Sequence, residues 1–296
     1  MNRIKSSIFG VGRKTLRTLR PLFSDQNYIK AYYYCKMGHR LNLASPETFN
    51  EKLQWLKFHD CRPEYSMMVD KYAVKEYVAS KIGSKYVIPT LEVYDSVTDI
   101  DFEALPTQFV LKCTHDSGGV VICKDKTNLD RNAAKAKLQN GWGKNYYRYS
   151  LEYPYKDVKP RIIAEQFLSD DGADLCDYKV HCFNGEPKLI LVCKDRYAAS
   201  GLTEDFFTEK WEHLGVKRPT HPNSMQPIEK PEELSELLDL SRCLAKGIPF
   251  VRVDFYISQH RIYFGELTFF PASGMTPFVP ESFDRLFGSW LQLPSE

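Results

Sequence analysis

The spacing of apolar residues changes period several times along the chain, and each change marks a predicted element. Residues 46–58 read as a capped helix that buries Leu53, Trp55, Leu56 and Phe58. A second helix is expected from Asp70 to Ile82, with Asp70 as N-cap and Gly83 as the left-handed residue past its end. From 107 to 124 the period becomes that of strands, around the glycine pair Gly118-Gly119. Residues 130–149 again look helical, although Gly141 and Gly143 interrupt them. Strand-like runs follow at 161–168, 177–184 and 187–194, the last two joined by Asn184-Gly185, a strong two-residue turn signal. Residues 198–230 have little periodicity and read as a long irregular connection. A helix over 231–246 and strands at 250–256 and 261–270 precede a tail punctuated by proline and glycine. Helices and hairpins are mixed without regular strand–helix alternation, which argues for an α+β fold rather than a doubly wound parallel sheet.

Composition narrows the class only modestly. The 296 residues are 43% hydrophobic and 26% charged, the balance of a globular protein with a substantial core. A net charge of +2 gives no global field toward nucleic acid, and no nucleic-acid partner is expected. Eight scattered cysteines form no C-x-x-C pair or zinc-type spacing, which reads as reduced thiols in a cytoplasmic protein. No signal peptide or membrane-spanning apolar run is evident. The first 24 residues stand apart: Arg3, Lys5, Arg13, Lys14, Arg17 and Arg20 are interleaved with apolar residues, and no acid precedes Asp25. Such a stretch can lie on an anionic inner membrane leaflet, or pack on the protein body as an ordinary helix.

Candidate chemistry gathers in four segments. In Phe109–Lys124, two apolar runs flank a small polar loop, His115-Asp116-Ser117-Gly118-Gly119. Adjacent glycines let backbone N–H groups approach phosphate oxygens, and Lys112 sits within the strand before the loop, where a nucleotide phosphate would satisfy it. A plain hairpin with an edge lysine is the alternative. No Walker or G-x-G-x-x-G motif occurs. Asp254 and Glu266 are each embedded in a strongly apolar strand, where a carboxylate needs a metal or a cation. An even-length loop centred on Ser258-Gln259 would turn the two acids to opposite faces. An odd loop, or a bulge at Gly265, would make them diagonal neighbours about 7–8 Å apart on one face. Arg252 shares the parity of Asp254 and could contact a transferred phosphate, or belong to a structural arginine–carboxylate cluster. Glu165-Gln166-Phe167 ends a strand that could offer backbone groups to an adenine edge, and Lys179 is another cation inside a strand.

Taken in order, these segments resemble the ATP-grasp superfamily, and more closely its TupA-like branch, associated with teichuronopeptide and surface-polysaccharide synthesis. The resemblance is carried by Ser45–Leu56, Val69–Lys75, Phe109–Lys124, Pro160–Phe167, Asp177–Gly185, Val251–Phe255 and Phe264–Gly274. It implies two α+β lobes clasping a nucleotide behind a helical N-terminal region. The expected division is 1–60 for the basic and helical N-terminal region, 61–165 for the smaller nucleotide-binding lobe, and 166–296 for the larger catalytic lobe.

The resemblance also implies roles. Lys112 would hold the phosphates, His115 through Gly119 (with Ser117 and Gly118) would form the loop closing over them, and Glu165, Gln166 and Phe167 would form the adenine hinge. Lys179 would assist at the phosphates, with Lys71 in support. Asp254 and Glu266 would bind magnesium, with Thr268 where the superfamily commonly places Asn. The implied reaction uses ATP and Mg2+ to phosphorylate a carboxylate, giving an acyl phosphate that an amine attacks. In the polysaccharide setting the carboxylate would belong to a uronic acid of a glycan, and the amine to an amino acid or its relative. A nucleotide-sugar glycosyltransferase using Asp99-Ile100-Asp101, a sugar kinase, and a non-catalytic nucleotide-binding protein are the competing expectations.

Overall fold

The computed structural model describes residues 15–116, 118–169, 175–196 and 201–295. Two antiparallel sheets organise the chain. The smaller has the order β1-β4-β2-β3, built from β1 (Thr90–Tyr94), β2 (Phe109–Cys113), β3 (Val120–Cys123) and β4 (Ile162–Gln166). The larger has the order β7-β6-β5-β8-β9, built from β5 (Asp177–Phe183), β6 (Glu186–Lys194), β7 (Thr203–Thr208), β8 (Phe250–Ser258) and β9 (Arg261–Thr268).

Period-two alternation splits each sheet into an apolar face and a chemical face. In the small sheet Phe109, Leu111, Cys113, Val121, Ile162 and Ala164 pack with Ala134 and Leu138 of a helix at Arg131–Trp142. Their neighbours Val110, Lys112, Val120, Ile122 and Glu165 face a cleft between the sheets. In the large sheet Tyr178, Val180, Cys182, Val251, Val253 and Phe255 belong to the main core, against Leu237 and Leu244 of the helix Leu234–Ala245. Asp177, Lys179, Arg252, Asp254 and Tyr256 line the same cleft from below.

Local chemistry accounts for the helix ends. Thr48 and Glu51 form a reciprocal capping box, so the helix expected at 46–58 begins at Phe49 and runs to His59. Leu53, Trp55 and Leu56 are buried and Phe58 partly so, but so are Asn50, Gln54 and Lys57, a polar stripe that the apolar pattern did not announce. The helix expected from Asp70 begins later, spanning Val74–Ile82. Asp70 instead accepts the Tyr72 and Ala73 amides and pairs with Arg161 at 2.7 Å. The stretch 130–149 divides into Arg131–Trp142 and Tyr146–Ser150, the second capped by Asn145. Asn184 and Gly185 form the expected turn, both with positive φ.

The reading of 198–230 as wholly irregular is corrected by β7. Its Glu204 and Asp205 are buried acids met by Arg218 and by His213, charges that masked the strand pattern.

Among the described residues all eight cysteines are free. No helix of the described residues is long and apolar enough to cross a membrane. Residues 1–14 of the basic N-terminal segment lie outside the described residues.

Candidate active site

The cleft between the two sheets has a volume of about 490 Å3. Its floor follows from strand register. On β5, β8 and β9 the residues on one face of the sheet form cross-strand rows: Asp177 opposite Tyr256, Lys179 opposite Asp254, and Asp254 opposite Glu266, with His181, Arg252 and Thr268 in the row beyond.

The pairing of the two acids depends on one residue. The hairpin turn is Gln259-His260, and regular register runs from Ser258↔Arg261 to Phe255↔Phe264. There Gly265 is the extra residue of a bulge, so Asp254 meets Glu266. The expected bulge is present, but the acids are direct rather than diagonal neighbours. The inserted residue advances β9 by one position, which both restores the shared face and brings Glu266 level with Asp254.

A ring of cations holds both acids. Arg252 donates to Asp254 through Nε (2.6 Å) and Nη2 (2.7 Å), and Lys179 donates to the same carboxylate. Glu266 accepts from Lys71 at 3.0 Å, Arg252 at 3.2 Å and the Thr268 hydroxyl at 3.2 Å. Burial alone would raise the Glu266 pKa, but Lys71, Arg252 and Lys179 together hold it well below the usual carboxylate range. Burial would likewise neutralise Lys179, yet Asp254 and Asp177 keep its pKa above the ordinary lysine value. Two carboxylates facing each other suit magnesium, which commonly takes one or two carboxylates and completes its shell with phosphate oxygens and water. Among the described residues no group of three His, Cys, Asp or Glu side chains forms a self-sufficient cage.

The roof supplies further charge. Lys112 pairs with Glu165 at 2.6 Å, and Lys75, from the helix Val74–Ile82, pairs with the other oxygen of the same carboxylate. Burial opposes ionisation of Glu165, but Lys112 and Lys75 shift its pKa downward. Lys112 also lies 5.9 Å from the centre of the Tyr256 ring on the floor. Lys71 spans the two sides: its Nζ reaches Glu266 below and donates to the Asp116 carbonyl at 3.0 Å above. Gln166, Phe167 and Leu168 line one end of the cleft, where Ser258 of β8 donates to the carbonyl of Ser169.

The glycine loop has a fixed base. Asp116 is fully enclosed and accepts from the Gly119 amide (2.7 Å), Lys144 (3.2 Å) and the Tyr146 hydroxyl (3.0 Å). The helix Arg131–Trp142 closes on this base at Gly141, where a Cβ would stand 2.8 Å from the Asp116 carboxylate and 3.0 Å from the Gly119 Cα.

Lys112, Gly118, Glu165, Gln166, Phe167, Lys179, Arg252, Asp254 and Glu266 therefore share one cleft. His115, Gly119 and Thr268 are not among its lining residues. His115 is buried edge-on against Trp142, with its ring nitrogen 3.1 Å from the Trp142 carbonyl. Gly119 turns its amide inward to Asp116, and Thr268 stands behind Glu266. Ser117 lies outside the described residues. Glu165, expected at the hinge, has its carboxylate engaged by two lysines, while Gln166, Phe167 and Leu168 line the cleft beyond it.

Sequence reasoning did not single out Lys75, Asp177 or Arg196. Asp177 pairs with Arg196 and shares the face of Lys179, a parity visible in the sequence. Lys75 follows Lys71 by four residues, the spacing of one helix face. Asp99 and Asp101 lie away from the cleft lining, and the Asp101 carboxylate accepts the Glu103 and Ala104 amides of its own turn.

A profile of the family described as TupA-like ATPgrasp matches residues 51–292. No curated protein matches the sequence. Among solved structures, the chain is similar to D-alanine–D-alanine ligase from Bacillus anthracis complexed with ATP, at 15% identity and a TM-score of 0.42, covering 75% of this chain and 62% of that one. It thus spans less than two thirds of that ligase. It is also similar to D-cycloserine synthetase DcsG (12% identity, TM-score 0.41, 78% and 67% covered) and to D-alanine–D-alanine ligase from Helicobacter pylori (17%, 0.38, 84% and 70%).

Proposed function

This chain belongs to the TupA-like ATP-grasp family, and from that premise we propose that it is an ATP- and magnesium-dependent ligase joining a carboxylate to an amine. The observation that carries the reading is the Asp254–Glu266 pair, directly opposed on the floor of a cleft whose walls are rich in lysine and arginine. A triphosphate brings several negative charges, and a cleft flanked by Lys71, Lys112, Lys179 and Arg252 can neutralise them.

In this reading the base lies against Gln166–Leu168 and Tyr256, and the phosphates run along β8 toward Arg252. Lys112 and Lys71 hold the phosphate chain, while Asp254 and Glu266 provide oxygen ligands for magnesium, which supplies charge neutralisation when bound. Gly118 covers the phosphates from the loop. Arg252, one row beyond the two acids, and Lys179, level with them, stand where the γ-phosphoryl group leaves. The γ-phosphoryl group passes to a carboxylate oxygen of the acceptor and ADP departs. The amine nitrogen then bonds to the acyl carbon, loses a proton, and expels inorganic phosphate. The chain's contribution is positioning and electrostatic stabilisation. For the acceptor we propose a uronic-acid carboxylate of a surface glycan, and for the amine an amino acid or its relative. The enzyme is proposed to work in the cytoplasm, as a small nucleotide-binding lobe (61–165) and a larger catalytic lobe (166–296) behind the N-terminal region (1–60), with its N-terminal segment against the inner leaflet.

The test is a melting-shift comparison of Mg-ATP with UDP-, GDP- and CMP-sugars, followed by phosphate release with uronic acids and amino acids in combination. A ligand at 100 times its dissociation constant adds about 2.7 kcal/mol. A shift with Mg-ATP and phosphate release that requires both acceptor and amine support the ligase. A shift with a nucleotide sugar alone would replace it by a glycosyltransferase.

A further inference from the structure

Charge is divided very unevenly along this chain. Nine of the 40 basic residues but one of the 38 acidic residues fall within residues 1–41, so this stretch carries +8 and the rest of the chain −6. A near-neutral total conceals a strongly basic end on an acidic body. Asymmetry of this kind points to an anionic surface as partner.

The described part of the basic end has a defined outward face. Residues 15–18 are helical and Arg20–Leu22 continue as a tight helical turn. Arg17 lies over the rings of Tyr32 and Tyr149, and Arg20 over Tyr28, all within 5.6 Å of the ring centres. Arg17 also donates to the Tyr32 hydroxyl at 2.7 Å. These contacts fix one side of the segment against the tyrosine-rich helix Asp25–Met37. Leu16 packs against the tyrosine cluster of that helix, while Leu19 and Leu22 are left in solvent. Leu19 is 40% and Leu22 79% exposed. Leu16 lines an apolar groove of about 490 Å3 with Ala31, Tyr34 and Leu41, and its rim carries Lys30 and Arg40.

We propose that residues 15–41 form a docking face for an anionic phospholipid bilayer, with the leucine stripe and groove entering the headgroup region and Lys30 and Arg40 meeting lipid phosphates. The combination selects this partner. An amphipathic segment with leucines on one side and cations around them gains both apolar burial and lipid attraction at such a surface. A nucleic-acid backbone would engage the cations but leave Leu19 and Leu22 in water. A two-fold contact with a second copy would press one strongly basic face against another. The proposal goes beyond the nucleotide chemistry and assigns the contact to the described residues 15–41 rather than to the extreme N-terminus alone.

Cosedimentation of the full chain is measured with phosphatidylcholine vesicles and with vesicles containing about a third phosphatidylglycerol. The expected result is binding to the anionic vesicles alone, weakened by salt. Leu19→Glu with Leu22→Glu, and separately Lys30→Gln with Arg40→Gln, should each weaken binding by about tenfold or more, since one basic residue near the surface is worth about fivefold. A chain lacking residues 1–14 should keep salt-sensitive binding. Unchanged binding in both double variants, loss of all binding with residues 1–14, equal binding to neutral vesicles, or tighter binding to double-stranded RNA would each overturn the assignment. The Mg-ATP melting shift, recorded on the same variants, reports the nucleotide site separately and verifies that they fold.

Discussion

Asp254 is gripped by Arg252 and Lys179, and Glu266 by Lys71, Arg252 and Thr268, so each acid holds its place through cationic and polar neighbours. Removing one member therefore has two effects that must be separated. Asp254→Ala removes the main partner of Arg252 and Lys179, leaving them only Glu266 and Asp177 as charged partners, a loss of up to about 3–5 kcal/mol, and should lower the melting temperature as well as abolish ATP turnover. Asp254→Asn keeps the side chain's shape and one acceptor oxygen, and should lose turnover with a smaller loss of stability. Lys112→Ala and Glu266→Ala should likewise abolish turnover, with folding checked by circular dichroism; wild-type rates in these variants would remove the site assignment. The depressed pKa of Glu266 fixes a pH dependence. Its contribution to stability is complete above the unfolded value of about 4.3 and is lost as pH falls below that toward the folded value. Melting temperature should thus drop more steeply below about pH 4.3 in the wild type than in Glu266→Gln.

The helix Phe49–His59 shows how a buried polar stripe can hold a strained segment in place. Its inward stripe of Asn50, Gln54 and Lys57 clasps the segment that follows β9. Gln54 donates to the carbonyls of Ser273 (3.1 Å) and Gly274 (2.7 Å), Lys57 donates to Ser273 (2.9 Å), and Asn50 bonds Thr276. These contacts hold Ala272, Ser273 and Gly274 at φ of 49°, 60° and 60°, a run of left-handed residues that needs such reinforcement. At Gly274 a Cβ would come 2.5 Å from the Gln54 amide nitrogen and 2.8 Å from the Leu53 Cβ. Gly274→Ala should therefore cost about 1–3 kcal/mol in denaturant unfolding. Lys57 is fully enclosed, and burial, opposed by Glu152, pulls its pKa down to about 8. The folded state thus gives up the proton more readily than the unfolded chain, which between about pH 8 and 10.4 binds the extra proton. Wild-type stability relative to Lys57→Met should rise over that window; a constant difference in melting temperature would contradict the burial argument.

At the scale of the whole molecule the cleft belongs to neither sheet alone. Lys112, Gly118 and Glu165 come from the small sheet and its loop, Lys179, Asp254 and Glu266 from the large one, and Lys71 touches both sides. A nucleotide in this cleft makes contacts that neither half could make by itself. Mg-ATP should therefore slow amide exchange in both Phe109–Cys113 and Phe250–Ser258, as read by mass spectrometry. Protection limited to one sheet would place the nucleotide elsewhere. The charge division follows the same logic of separate surfaces: the acidic body carries the cleft, and the basic end turns its leucines outward.

Local patterns determined much of this protein. The capping residues of Phe49–His59, the Asn184-Gly185 turn, the alternation that set Lys112 and Asp254 apart from their apolar neighbours, and the order of segments that resembles the family were all legible in the chain. They depend on neighbours within a few residues, which a linear sequence contains. Other features required three dimensions. Whether Asp254 meets Glu266 turned on one bulged residue, since a shift of one position moves every side chain of a strand to the other face. The pairing of Glu165 with two lysines, the inward turn of His115, the hidden strand Thr203–Thr208 and the polar stripe of Phe49–His59 depend on partners far along the chain. A buried charge looks the same in sequence as an exposed one until the fold brings its counter-charge beside it.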